Sequence, residues 1–184
     1  MSATLSPELR SRMQELFRNL VNVFVFDKIP ANKLRNATRA YARTVGNDET
    51  IMVLYDDTVF GSSRDGFLLT TRRLYGKNIF ESGFSAELAD IVNLTFEGTE
   101  TVLTAPKVHA HTRTGVLQKE LTVSNSNGQA EALFQALQQA IALLNPNLAS
   151  AFAPTMNPQQ VPARCNSCGA GGQVAVCEYC GNAV

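Results

Sequence analysis

The sequence predicts an α+β fold: helices at the N-terminus, an antiparallel sheet in the middle, a helix to close it, and a small cysteine-bound appendage. Three observations predict this. Apolar residues recur at helical spacing before residue 46 and again over residues 129–144. Between them lie short apolar runs separated by Gly, Asn and Asp turns. All four cysteines fall between residues 165 and 180. The 184 residues are 45% hydrophobic, which suffices for one core and an appendage.

Ser6-Pro7-Glu8 starts a helix: a capping hydroxyl, a proline whose missing N–H is not needed there, and an acid at the positive end of the helix dipole. Leu9, Met13, Leu16, Phe17, Leu20, Val21 and Phe24 extend the helical spacing to about Phe26. Pro30 opens a second helix, with Leu34, Ala37, Tyr41 and Ala42 on one face, ended by Gly46-Asn47-Asp48. The strand-forming runs that follow are 51–55, resumed at Thr58-Val59-Phe60, then 67–71, 72–75, 79–81, 91–97, 101–104, 108–112 and 116–123. Leu133, Phe134, Leu137, Ile141 and Leu144 share one helix face. Pro146, Pro154, Pro158 and Pro162 mark a linker. The expected division is 1–46 as a two-helix segment, 47–145 as the sheet domain, 146–163 as a flexible linker and 164–184 as the cysteine module.

The formal net charge is zero, so no global field points to nucleic acid or membrane. Residues 1–45 nevertheless hold eight basic residues against three acidic ones, a net of +5. Dispersed as they are, these basic residues fit packing on an acidic body better than they fit an anionic partner. No basic segment followed by an apolar run and cleavage site begins the chain, and its most apolar stretch, 20–26, is too short to span a bilayer. A cytoplasmic location is expected.

In a reducing compartment, clustered cysteines are metal ligands rather than disulfides. Cys165, Cys168, Cys177 and Cys180 form two C-x2-C pairs eight residues apart, each followed by glycine. Two residues between thiolates let both reach one ion, and the glycine permits the tight turn past the second ligand. Four thiolates close a tetrahedron, so one structural Zn2+ is expected; spacing alone also admits iron in the same geometry. Binding would supply about 10–16 kcal/mol to a segment too short for a core. The module is similar to a short zinc ribbon. With Arg164 its sole basic residue and Tyr179 its sole aromatic, it suits a protein-facing or structural role better than nucleic acid.

Lys33-Leu34-Arg35-Asn36-Ala37 with Tyr41-Ala42, the string Tyr55-Asp56-Asp57-Thr58-Val59-Phe60-Gly61 and the segment Asp65-Gly66-Phe67-Leu68-Leu69-Thr70 resemble a bacterial family of uncharacterised proteins. The likeness covers roughly residues 29–145. It implies a pleckstrin-homology-like domain, a bent antiparallel sheet of about seven strands closed by a C-terminal helix, accompanied by a zinc ribbon. Where the family usually has lysine before Asp65-Gly66, this chain has Arg64. By analogy with headgroup-binding pleckstrin domains, Arg64, Arg72, Arg73 and Lys77 are candidates for an anion site; a solvated face is the preferred reading.

Asp56-Asp57 interrupts an apolar run. Its preferred reading is a bend whose carboxylates cap backbone N–H groups, rather than a cation site. His109 and His111 share one strand face but have no third ligand nearby in sequence. A catalytic metal site built on them is the least favoured reading, and no nucleophile elbow, phosphate loop or zinc-protease motif occurs. The expected function is a non-enzymatic binding or adaptor protein that engages another protein through the ribbon and an exposed sheet edge or groove. The alternative is an anion-binding module for nucleic acid or acidic lipid. The apolar face of the first helix also allows a homodimer.

Overall fold

The computed structural model describes residues 5–98, 105–116, 120–124, 128–145 and 148, together with the backbone of 163–164 and 171–172. The chain divides into two compact units, Met1–Phe152 and Ala153–Val184. The first unit is α+β and built on antiparallel sheets.

Helix α1 (Pro7–Leu16) begins as the sequence predicts, with the Ser6 hydroxyl accepting from the Leu9 N–H. It does not continue to residue 26. It ends at Leu16, Asn22 takes a left-handed conformation (φ 61°), and β1 (Val23–Val25) follows. Apolar residues at 20, 21 and 24 fit a helix face, but Val-Phe-Val favours a strand once it has a partner. That partner is β2 (Ile51–Asp56), paired antiparallel with Val23 opposite Tyr55 and Val25 opposite Val53. The N-terminal segment thus supplies an edge strand to the sheet. Helix α2 (Ala31–Ala40) lies between the two strands in sequence.

β3 (Gly66–Thr70), β4 (Arg73–Lys77) and β5 (Phe84–Glu87) complete a five-stranded meander in the order β1-β2-β3-β4-β5. Both faces of its centre are covered, which explains the unbroken apolar runs of β2 and β3. On one face Ala37, Tyr41 and Ala42 pack on Leu54, Leu68 and Tyr75. On the other, Val53, Tyr55, Phe67, Leu69 and Leu74 enter the main core. A register shift between Ile51 and Val53 adds Met52 to the main core beside Val53.

The second sheet is built from β6 (Ile91–Glu97) and β7 (Lys107–Thr112). Two short strands, β8 (Gly115–Val116) and β9 (Leu121–Thr122), pair with opposite ends of β7. They stand where the sequence suggested one strand over 116–123. The expected strand at 101–104 lies outside the described residues. Helix α3 (Ala130–Leu144) closes the unit, burying Leu133, Ala136, Leu137, Ala140 and Ile141 against both sheets and α1. In the second unit, β10 (Ala163–Arg164) pairs antiparallel with β11 (Gly171–Gly172).

Candidate functional site

Strand order places the β2–β3 and β4–β5 connections at one end of the sheet and the β3–β4 connection at the other. At the first end, polar side chains anchor two loops. The side chain of Asp56 is 1% exposed. Its Oδ1 accepts from the N–H of Thr58 (3.1 Å), the hydroxyl of Thr58 (2.5 Å) and the N–H of Ser63 (3.0 Å). Its Oδ2 meets Lys33 Nζ, which also donates to the Gly61 carbonyl. Burial raises the Asp56 carboxyl pKa, but the hydrogen bonds from Lys33, Thr58 and Ser63 outweigh it and hold the group below the ordinary aspartate range. Asp56 therefore caps backbone N–H groups, as its place in the sequence suggested. Thr58 does not resume the strand; it caps the loop instead, accepting from the Ser62 N–H at 2.6 Å.

The second loop hangs on Asn78. Its Oδ1 accepts from the Thr122 N–H (2.9 Å), and its Nδ2 donates to the Glu120 carbonyl (2.6 Å). The Lys77 ammonium meets Asp65 and ties the two loops together. Each tip is a four-residue turn: the Gly61 N–H donates to the Thr58 carbonyl, and the Glu81 N–H to that of Asn78. At their centres stand Val59-Phe60 and Ile79-Phe80. Phe60 is 96% exposed and Phe80 97%. The sequence reading put both pairs in strands. The fold puts them on turns, and β5 starts only at Phe84.

The four basic residues suggested as an anion site are split between the two ends of β4. Arg64 and Lys77 lie at the loop end. Arg72 and Arg73 lie about 13 Å away along the strand, at the β3–β4 turn. Arg72 meets Glu87 (3.0 Å) and Asp48 (3.4 Å), and Arg73 meets Glu49 (2.9 Å) and Glu87 (2.6 Å). Burial raises the Glu87 carboxyl pKa, but hydrogen bonds from both arginines bring it below the ordinary value. Glu49, which the sequence reading passed over, is buried and also accepts from the Thr70 hydroxyl (2.6 Å) and the Tyr75 hydroxyl (3.2 Å).

His109 Nε2 lies 3.1 Å from Glu97, and His111 Nε2 lies 2.8 Å from the Thr95 hydroxyl. Among the described residues no three His, Cys, Asp or Glu side chains gather as metal ligands. Cys165, Cys168, Cys177 and Cys180 lie outside the described residues. Several basic residues of the N-terminal segment meet carboxylates: Arg10 with Asp27, Arg12 with Glu8, Arg18 with Glu15.

A groove of about 520 Å3 runs between the C-terminal part of α1 and β1, lined by Gln14, Phe17, Leu20, Val23, Phe24 and Lys28, among others. Asp56 N–H donates to the Asn22 carbonyl, which fixes the alternation of the β1–β2 pair. Phe24 therefore directs its N–H and C=O toward β2, whereas Val23 directs both of its groups, and Val25 its N–H, away from it; the Val25 C=O caps the 3-10 turn Phe26–Lys28. Val21, on the same outward side, donates its N–H to Gln129 Oε1 at 2.9 Å. The outer edge of β1 thus presents backbone donors and acceptors along the groove.

No protein-family model and no curated protein matches the chain. A solved structure that is similar to it is that of a DUF1696 family protein with a pleckstrin-homology domain from Shewanella loihica PV-4. The two are 17% identical, with a TM-score of 0.40 over 67% of this chain and 97% of that one. Among the described residues, no helix is long and apolar enough to cross a membrane.

Proposed function

We propose that the chain is a non-enzymatic cytoplasmic binding protein that takes an extended segment of another protein as an added strand along β1. The observation that carries this reading is the edge of β1: Val23 aims its N–H and C=O, and Val25 its N–H, away from β2, beside a groove where Phe17, Leu20 and Phe24 alternate with polar residues such as Gln14 and Lys28. Strand addition takes affinity from such main-chain bonds and specificity from alternate side-chain pockets, here beside Leu20 and Val23. The order of antiparallel strands followed by α3 agrees with the pleckstrin-like reading of the sequence. The four cysteines are assigned one structural zinc in a ribbon. Pairing of Ala163–Arg164 with Gly171–Gly172 supports this, because the six residues between those strands include Cys165 and Cys168.

The test is amide hydrogen exchange with peptides selected by display on the full chain. Peptides that slow exchange at Val23 and Val25 support the reading. Peptides that protect other surfaces, or a selection that yields none, overturn it.

A second reading, anion binding, rests on α2 and the turn that follows it. Arg35, Arg39 and Arg43 recur every four residues, all exposed; Arg43 donates to the Arg39 carbonyl, and among the described residues no carboxylate pairs with the three. Retention on DNA or anionic vesicles that collapses with added salt, and is lost in Arg35→Ala/Arg39→Ala, would favour it.

A further inference from the structure

Four of the five exposed large hydrophobic residues among the described ones sit at one end of the five-stranded sheet: Val59 and Phe60 on one tip, Ile79 and Phe80 on the other. The monomer leaves Phe60 and Phe80 almost wholly exposed and buries only part of Val59 and Ile79. Phe80 also holds a left-handed backbone (φ 62°), a conformation that disfavours a bulky residue. The loops that carry the tips are nevertheless anchored, by hydrogen bonds from Asp56, Thr58, Lys33 and Asn78 beneath them. Such anchoring lowers the ordering cost of a contact.

We propose that this end of the sheet is a self-association surface. Two copies of the chain dock through Val59, Phe60, Ile79 and Phe80 about a two-fold axis that sets Arg64 of each copy against Glu81 of the other.

Area and charge name the occupant. Two almost fully exposed phenylalanines present about 400 Å2, and with the valine and isoleucine about 600 Å2. That is the upper end for a patch on a monomer. Doubled across a two-fold axis it reaches about 1,200 Å2, where specific stable interfaces begin, before any polar rim is counted. Lys33 with Asp56 and Lys77 with Asp65 neutralise each other within the loops. Asp57 is half-buried and accepts from the Tyr55 and Ser124 hydroxyls; the exposed charges left, Arg64 and Glu81, are opposite in sign and on different loops. A two-fold axis pairs such residues reciprocally. An anionic membrane would need a basic rim, and this rim holds one exposed charge of each sign.

The test is sedimentation of the full chain across a concentration series in reducing buffer. Wild type is expected to dimerise. Phe60→Ser and Phe80→Asn should each weaken the dimer at least about tenfold. Both positions are exposed, so the fold survives, and at concentrations where both proteins are monomeric Phe80→Asn should melt no lower than wild type because asparagine tolerates the left-handed backbone. Arg64→Glu alone and Glu81→Arg alone should each weaken self-association by about tenfold, and an equimolar mixture of the two should restore it as a heterodimer. A monomeric wild type, a dimer indifferent to the phenylalanine changes, or a mixture that stays monomeric would overturn the proposal. So would flotation of a monomeric wild type with phosphatidylserine vesicles through Phe60 and Phe80, which would make the tips a membrane anchor.

Discussion

The ammonium of Lys33, on α2, meets the carboxylate of Asp56, the last residue of β2, and donates as well to the carbonyl of Gly61 at the tip of the adjoining loop. One lysine therefore joins a helix, a strand end and a loop, and it also lies 5.2 Å from the centre of the Phe24 ring on β1. Removing Asp56 leaves Lys33 without its carboxylate and the buried N–H of Ser63 with only the longer bond to Thr58 Oγ1 (3.2 Å). Asp56→Ala is expected to cost about 3–5 kcal/mol. Lys33→Met, at the less buried partner, should cost about 2 kcal/mol after allowance for solvent screening. Urea unfolding of both variants measures this, and losses under 1 kcal/mol would show that the loop is held by something else.

The same carboxylate sets an acid dependence. A group held below its unfolded pKa stabilises the native state above that value, and the stabilisation is lost as pH falls through the folded one. Asp56 and Glu87 both have this direction. Wild type should therefore keep a constant advantage over Asp56→Asn from neutrality down to about pH 5. The gap should narrow once pH falls below 3.8, the ordinary aspartate value. Unfolding free energies of the two proteins at several pH values provide the measurement; a gap that widens on acidification would contradict the assignment.

The capped start of α1, the face of α3 and the central strands were legible in sequence because their apolar spacing has one interpretation. The span 17–26 was not. Its apolar residues suit a helix face, and only pairing with Tyr55, Leu54 and Val53 selects the strand. Val59-Phe60 and Ile79-Phe80 misled for a related reason: apolar pairs next to strands resemble strand, and exposure is a tertiary property. A local signal was nevertheless present. Thr58-Val59-Phe60-Gly61 and Asn78-Ile79-Phe80-Glu81 each begin with a turn-forming residue and are followed by serine. The Glu49 network left no comparable trace, since its partners Thr70, Arg73 and Tyr75 come from a different hairpin.

Gly66 is where the β2–β3 hairpin tolerates no side chain. Its φ is +121°, and a Cβ there would lie 2.1 Å from the carbonyl oxygen of Tyr55, a backbone atom that cannot move aside. Gly128 also has positive φ, +78°, but a Cβ there would meet nothing within 4 Å. Gly66→Ala should therefore destabilise by more than about 3 kcal/mol, and Gly128→Ala by only about 1 kcal/mol, the backbone cost alone. Thermal melts of the two variants decide the point; equal losses would mean that the close approach at Gly66 relaxes freely.

Metal content separates the cysteines from the histidines as ligands. Four thiolates in two C-x2-C pairs satisfy a tetrahedral ion completely, so one zinc per chain is expected in protein purified under reducing conditions. Cys165→Ser/Cys168→Ser should abolish it. His109→Ala/His111→Ala should leave it unchanged, since His109 is engaged with Glu97 and His111 with Thr95. Iron in place of zinc, identified by the same elemental analysis, would keep the four-cysteine site and change its chemistry. A second equivalent of metal lost with the histidines would instead place an ion on the face of β7 and reopen the catalytic reading. Thiolate binding also releases protons, so zinc affinity should fall as pH drops, and a competition titration with a chelator at several pH values should show metal lost to the chelator more readily in acid.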